Sequence, residues 1–82
     1  MWLWKKVDFN REEDVIKIYE FIGSKIKEHR KKLGVSQDQV SKEMGFSREN
    51  ISRHENGRVS ITVDKLYKIA EILKINAKEL LP

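Results

Sequence analysis

The spacing of apolar and polar residues predicts a chain built from short helices. Between residues 36 and 57 the sequence SQDQVSKEMGFSRENISRHENG contains two amphipathic segments separated by a glycine. Ser36 and Gln39 have the spacing of a capping box, which predicts where the first segment begins as a helix. Gly45 predicts its end, because the left-handed conformation of a helix C-terminus costs glycine least.

The second segment is predicted to begin after Ser47, a capping residue, and to end at Asn56-Gly57. The apolar or small residues of the two segments are expected to face each other: Val40, Ser41, Met44, Phe46 and Ile51. The polar residues left on the outside of the second helix are Arg48, Glu49, Ser52 and Arg53. A helix pair with an apolar inside and a polar, partly basic outside is suited to a DNA major groove.

The segment before this helix pair carries one apolar stripe that passes through a glycine. Asn10 with Glu13 has capping-box spacing and predicts a helix start. The residues of the stripe are Val15, Tyr19, Ile22, Ile26 and Leu33. Because glycine inside a helix costs only about 1 kcal/mol, two alternatives remain: one helix over residues 11–33, or two helices that break near Gly23-Ser24.

The last part of the chain predicts two further helices. Thr62 can cap a helix whose core-facing residues are Leu66, Ile69, Ala70 and Leu73. Asn76 and Glu79 have capping-box spacing and predict a last short helix that ends at Leu80-Leu81. The predicted fold is therefore all-α, with five or six helices in a single domain.

Composition narrows the class of protein. Eighty-two residues form one small domain, and the chain has no cysteine, which excludes disulfides and thiolate metal sites. No apolar run approaches the roughly 20 residues needed to cross a bilayer, and Met1-Trp2-Leu3-Trp4 is too short for a signal peptide. We therefore expect a cytoplasmic protein without membrane contact.

The charge distribution favours a polyanion partner. The net charge is +4, from 17 basic and 13 acidic residues, and residues 21–60 hold nine of the basic and five of the acidic groups. Positive charge is thus concentrated where the helix pair lies, as nucleic-acid binding predicts. A solvated surface with chance asymmetry is the alternative.

Several motifs together resemble those of a known family. They are Leu33-Gly34-Val35-Ser36-Gln37, Gly45, Ile51, Glu55-Asn56-Gly57-Arg58, and then Leu66, Ile69-Ala70 and Leu73. Over residues 22 to 81 the chain resembles the Cro and phage-repressor (XRE) family of helix-turn-helix DNA-binding domains. The resemblance implies a compact lambda-repressor-like domain at residues 22–82, preceded by an N-terminal arm and helical extension at residues 1–21. Family members start their first helix near Ile22, which favours the break at Gly23.

The resemblance also implies site residues. The recognition helix would contact DNA bases through Ser47, Arg48, Glu49 and Arg53, since arginine pairs with guanine and glutamate with the cytosine amino group. The DNA backbone would be contacted by Gln37, Asn50, Ser52, Asn56, Arg58 and Ser60. Gln37 would also brace the recognition helix, and Arg30 would pair with Glu55. The alternatives are a Glu49–Arg53 surface ion pair and a phosphate or core contact for His54.

These inferences predict a sequence-specific double-stranded DNA-binding regulator. We expect a homodimeric repressor on a pseudo-palindromic operator, with a controller-type activator as the alternative. A second hypothesis is an antitoxin-like protein with a protein partner, because Trp2, Leu3 and Trp4 are not required by the fold. They would form a dimer or partner contact, cover the core, or be a cloning remnant. A third is a protein-interaction module with a degenerate DNA surface.

No enzyme, cofactor or metal site is predicted from the sequence. His29 and His54 are its only histidines and stand far apart without cysteine or a plausible ligand set. There is also no glycine-rich phosphate loop.

Overall fold

The computed structural model describes residues 12–82. All regular secondary structure in this range is helical. Four α-helices follow one another: α1 (Glu12–Leu33), α2 (Gln37–Met44), α3 (Arg48–Glu55) and α4 (Val63–Ile72). A four-residue 3-10 helix, Ala77–Leu80, ends the regular structure, and no strand occurs within residues 12–82. The predicted N-terminal arm with Trp2, Leu3 and Trp4 and the predicted helix cap Asn10 lie outside the described residues.

The break predicted near Gly23-Ser24 is wrong. Helix α1 runs without interruption through both residues for 22 residues. Gly23 lies on the buried face of α1 against α3, so packing offsets the cost of about 1 kcal/mol that glycine adds to a helix. The helix therefore crosses residues 21 and 22, where the boundary of the N-terminal extension was placed.

The ends of the two short helices follow the predicted capping chemistry. The Ser36 hydroxyl accepts a hydrogen bond from the Gln39 backbone N–H (3.0 Å), and the Ser36 backbone N–H donates to Gln39 Oε1 (2.7 Å). Gly45 ends α2 with φ 80° in the left-handed region. Ser47 caps α3 by accepting from the Asn50 backbone N–H at 3.3 Å. These predictions are confirmed.

The core lies where α3 packs between α1 and α2, where α4 packs on α2, and where the 3-10 helix packs on α1 and α4. Its most deeply buried side chains are Ile26, Val40, Ile51, Ile69 and Leu80. All four residues predicted on the inner face of α4 are buried, and Phe46 packs half-buried against the core. Leu33 departs from the predicted stripe because it is 39% exposed, whereas Arg30 is buried on the inner face of α1.

The C-terminal caps differ from the prediction. Thr62 stands at the N-cap of α4, but its side chain makes no capping hydrogen bond. The capping box predicted for Asn76 and Glu79 is also absent, and the segment forms a single 3-10 turn. Glu79 instead lies 4.0 Å from His29 Nε2, measured from its Oε1 atom. A contact to α1 has replaced the local cap.

Candidate nucleic-acid interface

Helix α3 is amphipathic, with a buried side and an exposed side. Ile51, His54 and Glu55 are buried, whereas the residues predicted to contact bases are all exposed: Ser47, Arg48, Glu49 and Arg53. The short turn Gly45-Phe46-Ser47 joins α2 to α3 and keeps the N-terminal end of α3 at the surface. The structure thus exposes all four predicted base-contacting residues along one helix. Ser47, Arg48 and Glu49 lie at its start, and Arg53 lies in its last turn.

The residues predicted to contact the DNA backbone lie at the start of α2, within α3 and in the loop that follows α3. Asn56, Arg58 and Ser60 are exposed in and after its last turn, whereas Gln37, Asn50 and Ser52 are half-buried. Asn56 Nδ2 donates to Ser52 Oγ at 3.4 Å. The Arg58 backbone N–H donates to the Arg53 carbonyl at 2.9 Å, so the loop leaves α3 in an ordered direction.

A small cleft joins the start of α2 to the start of α3. It has a volume of about 140 Å³ and is lined by Gln37, Arg48, Glu49 and Ser52. Two predicted backbone contacts, Gln37 and Ser52, therefore lie beside two predicted base contacts. This proximity arises from tertiary packing, because Gln37 and Arg48 belong to different helices.

Arg53 has a partner that the sequence reasoning did not name. Its Nη1 donates to Asn50 Oδ1 at 3.2 Å, within α3. Within residues 12–82, the alternative ion pair between Glu49 and Arg53 does not form. Glu49 therefore stays available on the exposed side of α3.

A buried ion pair connects α1 to the end of α3. Arg30 Nε donates to Glu55 Oε2 at 2.6 Å, and Arg30 Nη2 donates to Glu55 Oε1 at 3.3 Å. Arg30 Nη1 also donates to the Val35 carbonyl at 2.9 Å. The Glu55 side chain is only 2% exposed, so loss of either partner would leave a buried charge without compensation. These are the two residues for which the resemblance implies a pair.

Gln37 adds a third member to this pair. Its Nε2 donates to Glu55 Oε1 at 3.0 Å. The start of α2 is therefore tied to the end of α3 through the same carboxylate that binds Arg30.

Two glycines set how closely α1 approaches the end of α3. A Cβ atom on Gly23 would lie 2.1 Å from the His54 carbonyl oxygen and 2.6 Å from that of Glu55. One on Gly57 would lie 2.6 Å from Glu20 Cα. The sequence reasoning missed both contacts. A glycine inside the apolar stripe of α1 was the available signal, because such a glycine commonly has a packing reason.

His54 is buried, as the core alternative for this residue requires. Its ring centroid lies 6.0 Å from that of Phe46, and its Nδ1 atom has no hydrogen-bond partner within residues 12–82. Burial lowers the pKa of His54 below its ordinary value of 6.5, and the nearby charge of Lys65 adds to the shift. Burial against the core thus favours the neutral form of the ring.

Two further properties of the described residues bear on function. No group of three or more His, Cys, Asp or Glu side chains between residues 12 and 82 could hold a metal ion. None of the helices in this part of the chain has the length and apolar character needed to cross a membrane.

Two helices joined by a tight turn, with an exposed polar second helix, define the helix-turn-helix class of domain. Residues 23–82 match the family described as "Helix-turn-helix domain". Because this match covers more than half of the chain, the protein belongs to that family. It is a helix-turn-helix regulator of the Cro and phage-repressor (XRE) type, and the predicted resemblance is confirmed.

Similar proteins include a transcriptional regulator and a restriction-modification controller. It is 34% identical over 61 residues to the uncharacterised HTH-type transcriptional regulator y4dJ of Sinorhizobium fredii, covering 74% of this chain and 79% of that protein. It is also similar to the restriction-modification controller protein C.AhdI from Aeromonas hydrophila. That similarity has a TM-score of 0.72 and 25% identity, over 77% of this chain and 96% of that one.

The same fold also occurs in an enzyme. Hydroxypropylphosphonic acid epoxidase from S. wedmorenis matches with a TM-score of 0.74 and 21% identity, over 79% of this chain but only 35% of the epoxidase. At this identity the similarity concerns the fold alone. It transfers no activity to this chain.

Proposed function

We propose that the protein is a sequence-specific double-stranded DNA-binding regulator that reads the major groove with α3. The observation that carries the proposal is the composition of the exposed side of α3. Arg48, Glu49 and Arg53 stand there in solvent, while the opposite side of the helix is buried and tied to α1 by Glu55. Rigid helices that present arginine and carboxylate groups are the usual means of reading base edges.

The proposed contacts divide into two groups with different effects. Ser47, Arg48, Glu49 and Arg53 contact bases and select the sequence, because each well-formed pair discriminates by about 1–3 kcal/mol. A second group contacts phosphates and sets register and salt dependence: Gln37, Asn50, Ser52, Asn56, Arg58 and Ser60. Residues 22–82 would form the DNA-binding unit and residues 1–21 an extension of it.

We further propose that the regulator is a homodimer on a pseudo-palindromic operator. Support comes from α4, where Val63 is 71% and Tyr67 is 62% exposed, four residues apart on one side of the helix. Tyr67 also borders a groove between α4 and the 3-10 helix, which Ala77 and Glu79 line on the other side. A protruding ring beside a groove on the same patch suits an isologous contact, in which two copies exchange the same side chain. Such a dimer would present its α3 helices about 34 Å apart.

A repressor that occupies a promoter is the expected mode of action in the cytoplasm. A controller-type regulator, alone or with a protein partner as in antitoxins, is the second candidate. It is supported by the similarity to a restriction-modification controller and by the predicted arm Trp2-Leu3-Trp4, which the fold does not need. Deletion of residues 1–9, with dimer mass and DNA affinity measured, tests the task of this arm. Loss of dimer mass would assign the arm to self-association, whereas an unchanged dimer that still binds DNA would leave a protein partner or a cover for the core.

Binding selection on random duplex DNA, followed by titration of variants, tests the DNA-binding proposal. Arg53→Ala should weaken binding to the selected sequence by about 1–3 kcal/mol and relax the base preference at one position. Arg58→Ala should weaken binding to all duplexes similarly and reduce the salt slope by about one. Lys68→Ala, which removes one exposed charge from α4, is the control.

Two results would contradict the proposal. Failure of the wild-type protein to enrich any duplex would refute sequence-specific binding. Unchanged affinity and base preference in Arg53→Ala would show that the reading surface is assigned to the wrong residues.

A further inference from the structure

Glu55 is bonded on two sides by residues with different expected tasks. One side of its carboxylate binds Arg30 in the buried ion pair, and Oε1 also accepts from Gln37 Nε2 at 3.0 Å. Arg30 holds α1 in place, whereas Gln37 is the first residue of α2 and lines the cleft beside Arg48. The carboxylate thus connects an internal structural contact to a residue at the proposed DNA surface.

The bond to Glu55 decides which way the Gln37 amide faces. A glutamine amide has two N–H donors and one carbonyl acceptor. The carbonyl oxygen cannot face Glu55, because two acceptors would repel each other. One N–H is therefore committed to the carboxylate, and the amide nitrogen keeps its second N–H for another acceptor.

We propose that Glu55 is a positioning residue for DNA binding, which holds the Gln37 amide so that its second N–H meets a DNA phosphate. The inference rests on the proposed function. Glu55 itself does not contact DNA, because its side chain is almost fully buried. Its charge is balanced by Arg30, so it orients the amide without presenting a free negative charge to the phosphate.

A double-mutant cycle tests this role. Gln37→Met keeps the length of the side chain and removes its donors, and Glu55→Gln keeps the shape of the side chain and removes its charge. DNA affinity is measured for both single variants and the double variant at one salt concentration, with folding checked by urea unfolding. A bond to a charged group is worth roughly 10- to 150-fold in affinity, so Gln37→Met should weaken binding at least about tenfold.

The cycle has distinct outcomes. If Glu55 positions Gln37, Glu55→Gln weakens binding several-fold in the wild-type background and no further in the Gln37→Met background. Equal losses in both backgrounds would mean that Glu55 acts only through the stability of the fold, which overturns the inference. A wild-type protein that binds no DNA would overturn the proposed function and this inference with it.

A second measurement needs no variant, in case Glu55→Gln does not fold. In the wild-type protein, NMR should show that the Gln37 side-chain amide proton bonded to Glu55 exchanges slowly with water, whereas the second amide proton exchanges rapidly. Addition of the selected duplex should shift one proton strongly and leave the one bonded to Glu55 nearly unchanged. Rapid exchange of both protons, or equal shifts, would contradict the positioning role.

Discussion

Gly23 matters because it has no Cβ atom, which lets α1 approach α3 closely. The backbone of α1 passes the carbonyl groups of His54 and Glu55 at a distance that leaves no space for a Cβ atom. This close approach brings Arg30, seven residues further along α1, within reach of Glu55. The position of the recognition helix therefore depends on a residue that contributes no side-chain contact.

Replacement of Gly23 by alanine should destabilise the protein, although alanine is the better helix former. The helix propensity gain is about 1 kcal/mol, but the added methyl group would overlap the His54 carbonyl, and overpacking of this kind costs about 1–3 kcal/mol or more. We expect a lower midpoint in urea unfolding. Ser24→Ala, at the adjacent exposed position, should not lower it; an unchanged or higher midpoint for Gly23→Ala would contradict the contact.

His54 should make the stability of the fold fall in acid. Burial and Lys65 lower its pKa in the folded state, so below about pH 6.5 the unfolded chain binds a proton that the folded chain excludes. Stability from this residue is constant above that pH and declines as the pH falls through the window towards the lowered pKa.

Thermal unfolding between about pH 7 and pH 5 checks this sign. The wild-type protein should lose more stability over this interval than His54→Gln, which cannot titrate. His29→Gln, at the other histidine, should keep the steep decline. The same slope in His54→Gln and in the wild-type protein would show that other groups cause it.

At the scale of elements, α2 shows how one cap fixes a helix start. Ser36 and Gln39 exchange two hydrogen bonds at the first turn, whereas Thr62 stands at the start of α4 without a capping bond. The Thr62 hydroxyl instead bonds to the Asp64 carboxylate, which lowers the pKa of Asp64. The Ser36 hydroxyl therefore accepts a backbone N–H at its helix start, whereas the Thr62 hydroxyl does not.

Ser36→Ala should therefore cost more than Thr62→Ala. We expect a loss of about 1 kcal/mol for Ser36→Ala, within the range of 0.5–2 kcal/mol for helix caps, and a smaller loss for Thr62→Ala. Urea unfolding of both variants measures the difference. A Thr62→Ala loss equal to or greater than that of Ser36→Ala would refute the assignment.

The elements that were predicted correctly from the sequence depend on interactions between residues close together in the chain. The Ser36–Gln39 box, Gly45 and Ser47 act within a few residues, so their spacing is sufficient to place α2 and α3. The continuity of α1 could not be predicted in this way, because Gly23 is tolerated only through its contact with α3. The same holds for Glu79, whose contact to His29 spans 50 residues of sequence.

In the candidate site too, features set by local sequence were predictable and those set by contacts between helices were not. The exposure of Arg48, Glu49 and Arg53 follows from the helical period and was predictable. The bond from Gln37 to Glu55 joins two helices and was predicted only as an unspecified brace from the family resemblance. Which of these residues contact DNA stays a prediction.

At the scale of the whole molecule, the proposed DNA surface and the proposed dimer surface lie on different helices. Replacement of both Val63 and Tyr67 by serine should therefore weaken dimerisation without removing the side chains that are proposed to read bases. We expect light scattering to give a mass closer to that of the monomer. Relative to the wild-type protein, the variant should lose more affinity for a duplex with two half-sites than for a duplex with one. Ile16→Ser, at an apolar position 44% exposed on α1, is the control. An unchanged dimer mass would contradict this interface.

The continuity of α1 has a mechanical consequence. From Gly23 back to Glu12 the helix spans eleven residues, or roughly 16 Å, and Gly23 is the point where its backbone touches α3. A tilt of about 10° around this fulcrum moves the first turn by only about 3 Å. Ile18 and Tyr19 within this span pack against the core, so a displacement of the first turn would be passed on to the contact between α1 and α3.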